Sequence, residues 1–446
     1  MTSAVAAEVV DARSVAAAVE QAHRDHWSSV LAATIRVTGD LDLAEECAQE
    51  AYVRALGAWP RQLPDNPGGW LATAARRLAL DRHRRAATAR RMLPRLAVEA
   101  AGDDGPTART DHEGTDPLRL LFLCCHPALS RDAQVALTLR LMCGLTTTEI
   151  GRVLLAQDAA IAARITRAKR KITTAGVAFR MPDERQQRAR LDTVLAVVHL
   201  TYTAGHTATT AEADGDGGEA QLVRTDLTHR AESIARRLIA AYPDDSEPEA
   251  LLAVILFSEA RRRARVSPDG DLVLLADQDR SRWDRTRLHE GLAHATAALS
   301  RGDGRYTYQA AIAGLHATAP SFEQTDWPQV VTMYDRLLAR WPTPVVALNR
   351  LAAVSLTPDA DLEAVRRDLD ALAAGSALDR YPYLPATQAD VLARLGHVEA
   401  AIAAYDEALA RSGNEVERRF LTIRRDRLTG ATVRRQATQS TTGASR

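Results

Sequence analysis

Apolar residues recur at intervals of three and four along most of this chain, the spacing that collects them on one face of an α-helix. The first such stretches cover residues 14–37, 42–56 and 69–85, and Gly39-Asp40 separates the first two. We find no sustained alternation of β-branched and polar residues, the pattern typical of strands. Aromatic residues make up only 4% of the chain. The pattern therefore predicts an all-α protein.

Interruptions of this pattern divide the chain. Residues 86–117 lose the periodicity, and the part from Glu99 to Asp116 holds six acids and one arginine among glycines and a proline. Such a composition is typical of a flexible tether. We expect a first helical domain over 12–88, an acidic flexible linker over 89–116, a second helical domain over 117–182, a C-terminal domain over 187–430 and a disordered tail over 431–446.

Residues 144–171 have the pattern of two short helices joined by a tight turn. Thr146 or Thr147 can cap the first helix, with Glu149 near the capping-box position. One face of the second helix is apolar. The other face carries small residues and cations that can approach phosphates or guanine edges: Ala160, Ala163, Arg164, Arg167, Arg170 and Lys171. Taken alone, the pattern fits a DNA-binding helix-turn-helix and a solvated surface hairpin equally well.

Charge is balanced over the whole chain but not locally. There are 57 basic and 57 acidic residues, yet residues 61–95 and residues 164–190 each hold nine basic residues and two acids. The first of these segments places a basic helix after an aromatic-containing loop, which suits single-stranded nucleic acid. The alternative is a solvated arginine face. The candidate residues are Trp70, Arg76, Arg77, Arg82, Arg84 and Arg85.

The helix predicted over 42–56 has an acidic side that we expect to be exposed. Composition favours an ordinary solvated face over a docking surface for a basic partner. The residues on that side are Glu45, Glu46, Gln49, Glu50 and Arg54.

Residues with metal or catalytic chemistry do not form a recognisable site in the sequence. Cys124-Cys125-His126 lacks the cysteine spacing of zinc sites, and nothing nearby completes a ligand set, so we expect a buried structural role and no metal or cofactor. Phosphate-binding loops and hydrolase motifs are absent, so we expect no enzyme. The sequence shows no signal peptide and no apolar run long enough for a membrane helix, which predicts a soluble, cytoplasmic protein.

The C-terminal part continues with ten predicted helices between residues 227 and 428, several of them paired like tetratricopeptide hairpins. Tyr334 and Tyr405 lie 71 residues apart, close to two such repeats. Stacked hairpins of this kind form an α-solenoid. We interpret residues 202–219 as a loop. A second segment, 272–284, carries the polar and aromatic residues Asp277, Asp279, Arg280, Trp283 and Asp284. A ligand, partner or latch site and a structural helix start capped by Asp284 are equally supported.

The order of these features resembles the bacterial RNA polymerase sigma factors of the extracytoplasmic-function type. The matching residues are the acidic-sided helix 42–55, the tryptophan-containing basic helix 68–85, the linker and the helix-turn-helix 144–171. The resemblance covers about residues 14–180. Cys124–Pro127 and the 272–284 segment resemble the subgroup that carries a tetratricopeptide-like extension.

The resemblance implies roles for the candidate residues. The 45–54 side would dock on the β′ clamp helices of core polymerase, whose β subunit is also an expected partner. The 66–85 segment would melt and capture the minus-10 strand, and the 159–171 helix would read the minus-35 element of promoter DNA. The C-terminal domain would modulate activity, and an intramolecular contact with the sigma domains is one way in which it could do so. The turn Leu155–Asp158 lacks the glycine common in the family, which implies strain if a residue there has positive φ.

Three other functions compete with this expectation. A helix-turn-helix regulator would bind duplex DNA without polymerase, and a tetratricopeptide adaptor would show no promoter-dependent activity. An enzyme built on the segment around Arg280 has little support. We expect a sigma factor with a fused regulatory domain.

Overall fold

The computed structural model describes residues 12–92, 117–154, 156–207, 225–265, 267, 273–413 and 417–429. All regular elements in these ranges are helices, and no strand occurs among them. The expected all-α class is therefore confirmed. In chain order the helices are α1 (Ala12–Thr38), α2 (Leu41–Ala58), α3 (Pro67–Met92), α4 (Pro117–Cys124), α5 (Arg131–Leu141), α6 (Thr147–Leu154), α7 (Asp158–Thr174), α8 (Glu184–Thr207), α9 (Thr225–Ala241), α10 (Ser246–Ala260), α11 (Arg285–Arg301), α12 (Arg305–Thr318), α13 (Trp327–Arg340), α14 (Pro344–Ser355), α15 (Leu362–Ala373), α16 (Tyr383–Arg394), α17 (Val398–Arg411) and α18 (417–429).

Contacts divide the described residues into two compact units. One unit contains those up to Gly205 together with Thr225–Ile234, and the other contains His206, Thr207 and those from Ala235 onward. The helix α9 thus contributes residues to both units. The predicted division at residue 187 differs from this one, because α8 belongs almost wholly to the first unit.

Helices α1, α2 and α3 pack on one another as a first bundle. The buried side of α2 is rich in small residues, with Ala44, Ala48 and Ala51 fully buried, so its neighbours can approach closely there. Asp40 caps α2, since its carboxylate accepts a hydrogen bond from Leu43 N at 2.8 Å. Helix α3 continues to Met92, so the first residues of the expected linker are helical. The remainder of that linker, residues 93–116, lies outside the described residues, as does the tail over 431–446.

Helices α4 to α7 form a second bundle, in which α5 and α6 both pack on α7. Residues of α8 border the same bundle: Gln186 and Arg190 line an open cleft of about 290 Å³ together with Phe122 and His126. The expected loop over 202–219 is wrong at its start, because α8 extends to Thr207 and Tyr202 is buried in it.

In the second unit, the helices from α10 to α17 pack mainly on their neighbours in the chain. The cores are local. One lies among α12, α13 and α14, the next among α14, α15 and α16, and a third among α16, α17 and α18. Tyr405 is buried in the third core, and Tyr334 packs against the first. A series of small cores between successive hairpins is the arrangement of a solenoid.

Candidate functional site

The helix-turn-helix of the second bundle is held by capping interactions. Thr146 N donates to Glu149 Oε2 at 2.8 Å, and Glu149 N donates to Thr146 Oγ1 at 3.2 Å, which is the reciprocal capping box. Thr148 Oγ1 also donates to Asp158 Oδ2 at 2.5 Å, linking the start of α6 to the start of α7. Of the two threonines considered for the cap, the structure uses Thr146.

The loop between α6 and α7 lacks glycine, but Gly151 lies in α6 just before that loop. A Cβ on Gly151 would lie 2.7 Å from Ala156 O and 2.8 Å from Asp158 Oδ1. Gln157, which precedes α7, has an extended backbone with φ −68°. Gln157 therefore needs no positive φ, and glycine is required instead at Gly151, where α6 closely approaches the turn.

Helix α7 presents two distinct faces. Ile161, Ile165, Ala168 and Ile172 are buried, as the spacing predicts. Of the candidate DNA-contacting residues, Arg164 is half-buried, with Nη2 3.9 Å from Asp132 Oδ2. The others are exposed, namely Ala160, Ala163, Arg167, Arg170 and Lys171.

The candidate residues of α3 form a partly exposed basic surface. Trp70 is half-buried and meets Trp59 edge-on, with ring centroids 5.8 Å apart. Arg82 is engaged by the acidic side of α2, because its guanidinium pairs with Glu46 and with Glu50, the latter at 3.1 Å. The remaining cations of the set are exposed, namely Arg76, Arg77, Arg84 and Arg85.

On the acidic side of α2, the expectation of general exposure is wrong at one position. Glu46, Gln49 and Arg54 are exposed and Glu50 is half-buried, whereas Glu45 is only 4% exposed. The physical reason is that the second bundle covers Glu45: its carboxylate pairs with Lys169 of α7 at 2.8 Å and with Arg140 of α5. Lys169 and Arg140 had no role in the sequence-based set.

A second contact zone joins the two bundles. Gly144 has φ +66°, and a Cβ there would lie 2.6 Å from His23 Cε1 and 3.0 Å from Trp27. Arg230, at the start of α9, donates to His23 O at 3.3 Å and to Met142 O at 3.4 Å. Burial, followed by the Arg230 cation, lowers the pKa of His23 to about 4, so this ring is neutral at physiological pH.

Comparison with known protein families assigns three parts of the chain. Residues 23–89 match sigma-70 region 2, and residues 119–172 match sigma-70 region 4. The chain is a sigma factor of the extracytoplasmic-function type. Region 2 of this sigma factor corresponds to the first bundle and region 4 to the second. Residues 190–299 of the extension match a family of unknown function (DUF6596).

Relatives of this sigma factor extend the comparison. An uncharacterized protein of Rhizobium meliloti (strain 1021) is 37% identical over 407 residues, which cover 89% of this chain and 93% of that protein. The probable ECF RNA polymerase sigma factor SigI of Mycobacterium tuberculosis (strain ATCC 25618 / H37Rv) is 30% identical over 164 residues, 36% of this chain and 56% of SigI. No solved structure matches the chain. The sigma domains imply binding to core RNA polymerase and promoter DNA, and sigma factor families are not enzymes.

In the extension of this sigma factor, the 277–284 segment makes mostly structural contacts. Arg280 lies over the Trp283 ring at 4.4 Å and donates from Nη1 to His316 O and Ala319 O at 2.8 Å each, at the end of α12. Asp279 accepts from Ser281 N at 2.9 Å, and Asp284 caps α11 by accepting from Arg287 N at 3.1 Å. Asp277 is exposed. These contacts favour the structural interpretation of the segment over a ligand site.

The cysteines of this sigma factor are buried free thiols. Burial raises the pKa of Cys125 to about 12 and raises that of Cys124 well above its usual value, so both remain protonated. His126 Nδ1 accepts a hydrogen bond from Ala128 N at 3.2 Å. In the described part of the chain, His, Cys, Asp and Glu side chains form no cluster suited to a metal ion, and no helix is long and apolar enough to cross a membrane.

Proposed function

We propose that this sigma factor docks on the β′ clamp helices of core polymerase through the acidic side of α2, in addition to contacts with the β subunit. Glu46, Gln49, Glu50 and Arg54 remain accessible for this role, and Glu45 joins them when it is uncovered. The support is an acidic, largely solvent-facing strip on a helix within the region 2 match. Carboxylates in such a strip are suited to a basic partner.

The basic surface of α3 captures the minus-10 strand in this proposal. Arg76, Arg77, Arg84 and Arg85 are exposed for contact with the backbone, Arg82 is released when Glu46 and Glu50 bind polymerase, and Trp70 offers a ring for an unstacked base.

Helix α7 reads the minus-35 duplex. Arg164, Arg167, Arg170 and Lys171 contact phosphates or guanine edges, and Ala160 and Ala163 permit close approach to the groove. The observation that carries the assignment is the exposure of the small and basic face of α7, opposite a buried apolar face, within the region 4 match.

The C-terminal domain modulates the activity of the sigma domains in this proposal. Arg230, at the start of α9, lies in the same compact unit as regions 2 and 4 and donates to one carbonyl of each. Residues 12–88 and 117–182 are the two sigma domains, and 89–116 is the tether between them. The site of action is the cytoplasm, with core polymerase, and the chain has no catalytic role or cofactor of its own.

Run-off transcription with purified core polymerase tests this function. Glu46→Lys should lower the yield about tenfold or more, because a repulsive charge replaces an attractive one at the polymerase contact. Glu20→Lys is the matched control, since Glu20 is an exposed acid on α1 that pairs with Arg24 of the same helix. Arg167→Gln should weaken promoter binding, whereas Arg188→Gln, an exposed arginine of α8, should not. Equal yields from the Glu46 and Glu20 variants would contradict the α2 assignment.

The same preparations separate the sigma factor from a regulator that binds DNA alone. A sigma factor binds promoters tightly only with polymerase. Tight, sequence-specific binding by the free chain, unchanged by core polymerase, would instead support the regulator. A chain ending after α9, which keeps α8 and the start of α9 with the sigma domains, measures the contribution of the remaining extension, with loss of transcription indicating a required element and a gain indicating an inhibitor.

A further inference from the structure

The polymerase-binding side proposed for α2 is partly occupied by region 4. Lys169 Nζ lies 2.6 Å from Asp42 Oδ1 and 2.8 Å from Glu45 Oε2, and Arg140 contacts the other oxygen of Glu45. The side chains of Glu45 and Lys169 are only 6% and 12% exposed. Burial lowers the pKa of Lys169, but the two carboxylates outweigh it and leave the pKa raised. Lys169 therefore keeps its charge, and the Glu45–Lys169 pair is shielded from solvent, whereas Asp42 is exposed at its edge.

The second contact zone shows that more than one set of contacts holds regions 2 and 4 together. Gly144 lacks a side chain where region 4 meets the His23 and Trp27 rings, and its φ of +66° favours glycine. Arg230 adds hydrogen bonds to one carbonyl from each region. Charge pairing at one zone and close backbone approach at the other together define a single closed arrangement of regions 2 and 4.

We propose that region 4 latches onto the acidic side of α2 through Lys169 and Arg140 and thereby lowers the affinity of the free sigma factor for core polymerase. The inference rests on the proposed docking role of α2. A basic polymerase surface and the two region 4 cations compete for the same carboxylates, because Glu45 cannot pair with both while it is buried. Polymerase binding then requires region 4 to leave α2, which also frees α7 to reach DNA at a distance from α3.

The physical consequence concerns the population of the open form. A partly populated binding-competent state reduces apparent affinity by its fraction. If Lys169 and Arg140 are neutralised, Glu45 keeps a buried charge without a cation to pair with, which strongly disfavours the closed form. We expect the double variant Lys169→Gln, Arg140→Gln to bind core polymerase on the order of tenfold more tightly.

Two measurements on the full chain test the latch. The first is the distance between two spin labels, one on Ala17→Cys in α1 and the other on Thr174→Cys in α7. Both positions are exposed, whereas the native cysteines are buried, so the labels attach to the introduced cysteines. The second is the affinity for core polymerase. The matched control, Arg185→Gln with Arg188→Gln, removes two exposed charges from α8.

The latch is supported if the double variant alone lengthens the label distance and binds polymerase more tightly. It is overturned if the distance is unchanged, or if the opened form binds with the affinity of the control. Should the double variant fail to fold, the swap Glu45→Lys with Lys169→Glu serves instead: retention of the short distance supports the latch, and its loss in a folded chain opposes it. Absence of polymerase binding by every form, opened ones included, would overturn the proposed function and this inference with it. Unchanged affinity in an opened, transcribing form overturns only the latch.

Discussion

The close approach of Gly151 to the turn before α7 gives a sharp prediction. In Gly151→Ala, the new Cβ would lie 2.7 Å from Ala156 O, a backbone atom that cannot rotate away. It would also lie 2.8 Å from Asp158 Oδ1, whose carboxylate accepts the Thr148 hydroxyl. We expect the substitution to loosen the junction of α6 and α7 and to misplace the minus-35 reading helix proposed above.

The magnitude follows from three opposing effects. Overpacking of this kind costs about 1–3 kcal/mol, and loss of the Thr148–Asp158 hydrogen bond costs about 1 kcal/mol more. Alanine in a helix recovers roughly 0.5–1 kcal/mol relative to glycine. The net destabilisation is about 2 kcal/mol, or roughly 30-fold in the local opening equilibrium.

Hydrogen exchange of the α6 and α7 amides is the appropriate assay, because it reports local opening in a chain with two compact units. Gly57→Ala is the matched control. Gly57 lies in α2 with nothing within 4 Å of its added Cβ, so this variant should be stabilised by about 0.5–1 kcal/mol. If Gly151→Ala slows exchange in α6 and α7, or leaves it unchanged, the steric reasoning is wrong.

Three further predictions concern partly buried polar groups. His23 binds its proton more weakly in the folded chain, because its pKa falls from 6.5 to about 4. The free energy of unfolding is therefore fully present above pH 6.5 and falls by roughly 3 kcal/mol toward pH 4. Chemical denaturation across that pH window should show a smaller loss of stability for His23→Gln than for the unsubstituted chain. Arg280→Ala should cost about 2 kcal/mol by leaving two carbonyls of α12 without a donor, whereas Arg282→Ala, an exposed neighbour, should be nearly neutral in thermal unfolding. Glu247→Gln should cost about 1 kcal/mol, because this carboxylate accepts two backbone N–H groups in the first turn of α12 at 2.9 Å each; unchanged exchange there would contradict it.

The helices that the sequence located best are those with local start and stop signals. The break at Gly39-Asp40 precedes α2, which Asp40 caps, and Asp284, which the sequence offers as the cap of a helix start, caps α11. The buried face of α7 also follows directly from the spacing of its isoleucines. These features depend on residues close together in the chain, so a local pattern contains the necessary information.

Other features depend on partners that a local pattern does not reveal. Glu45 and Glu46 look alike in the sequence, yet one is buried because Lys169 and Arg140 approach it from the second bundle. Helix α8 is not predicted from the sequence, for a different reason. Its residues Val194 to Val198 are all buried, so this part of the helix is apolar on every side and lacks the amphipathic period by which helices are recognised.

The sharing of α9 between the two compact units constrains how such a chain can evolve. Recombination at the end of region 4 would bring in an α8 that had not been selected with the receiving Phe122 and His126 surface, and a counterpart of Arg230 that had not been selected with the receiving carbonyls. An extension exchanged at that point would therefore lack matched contacts in the receiving chain. We expect functional chimeras between relatives to be joined beyond Ile234, within or after α9, so that α8 and the start of α9 are inherited with the promoter-binding half.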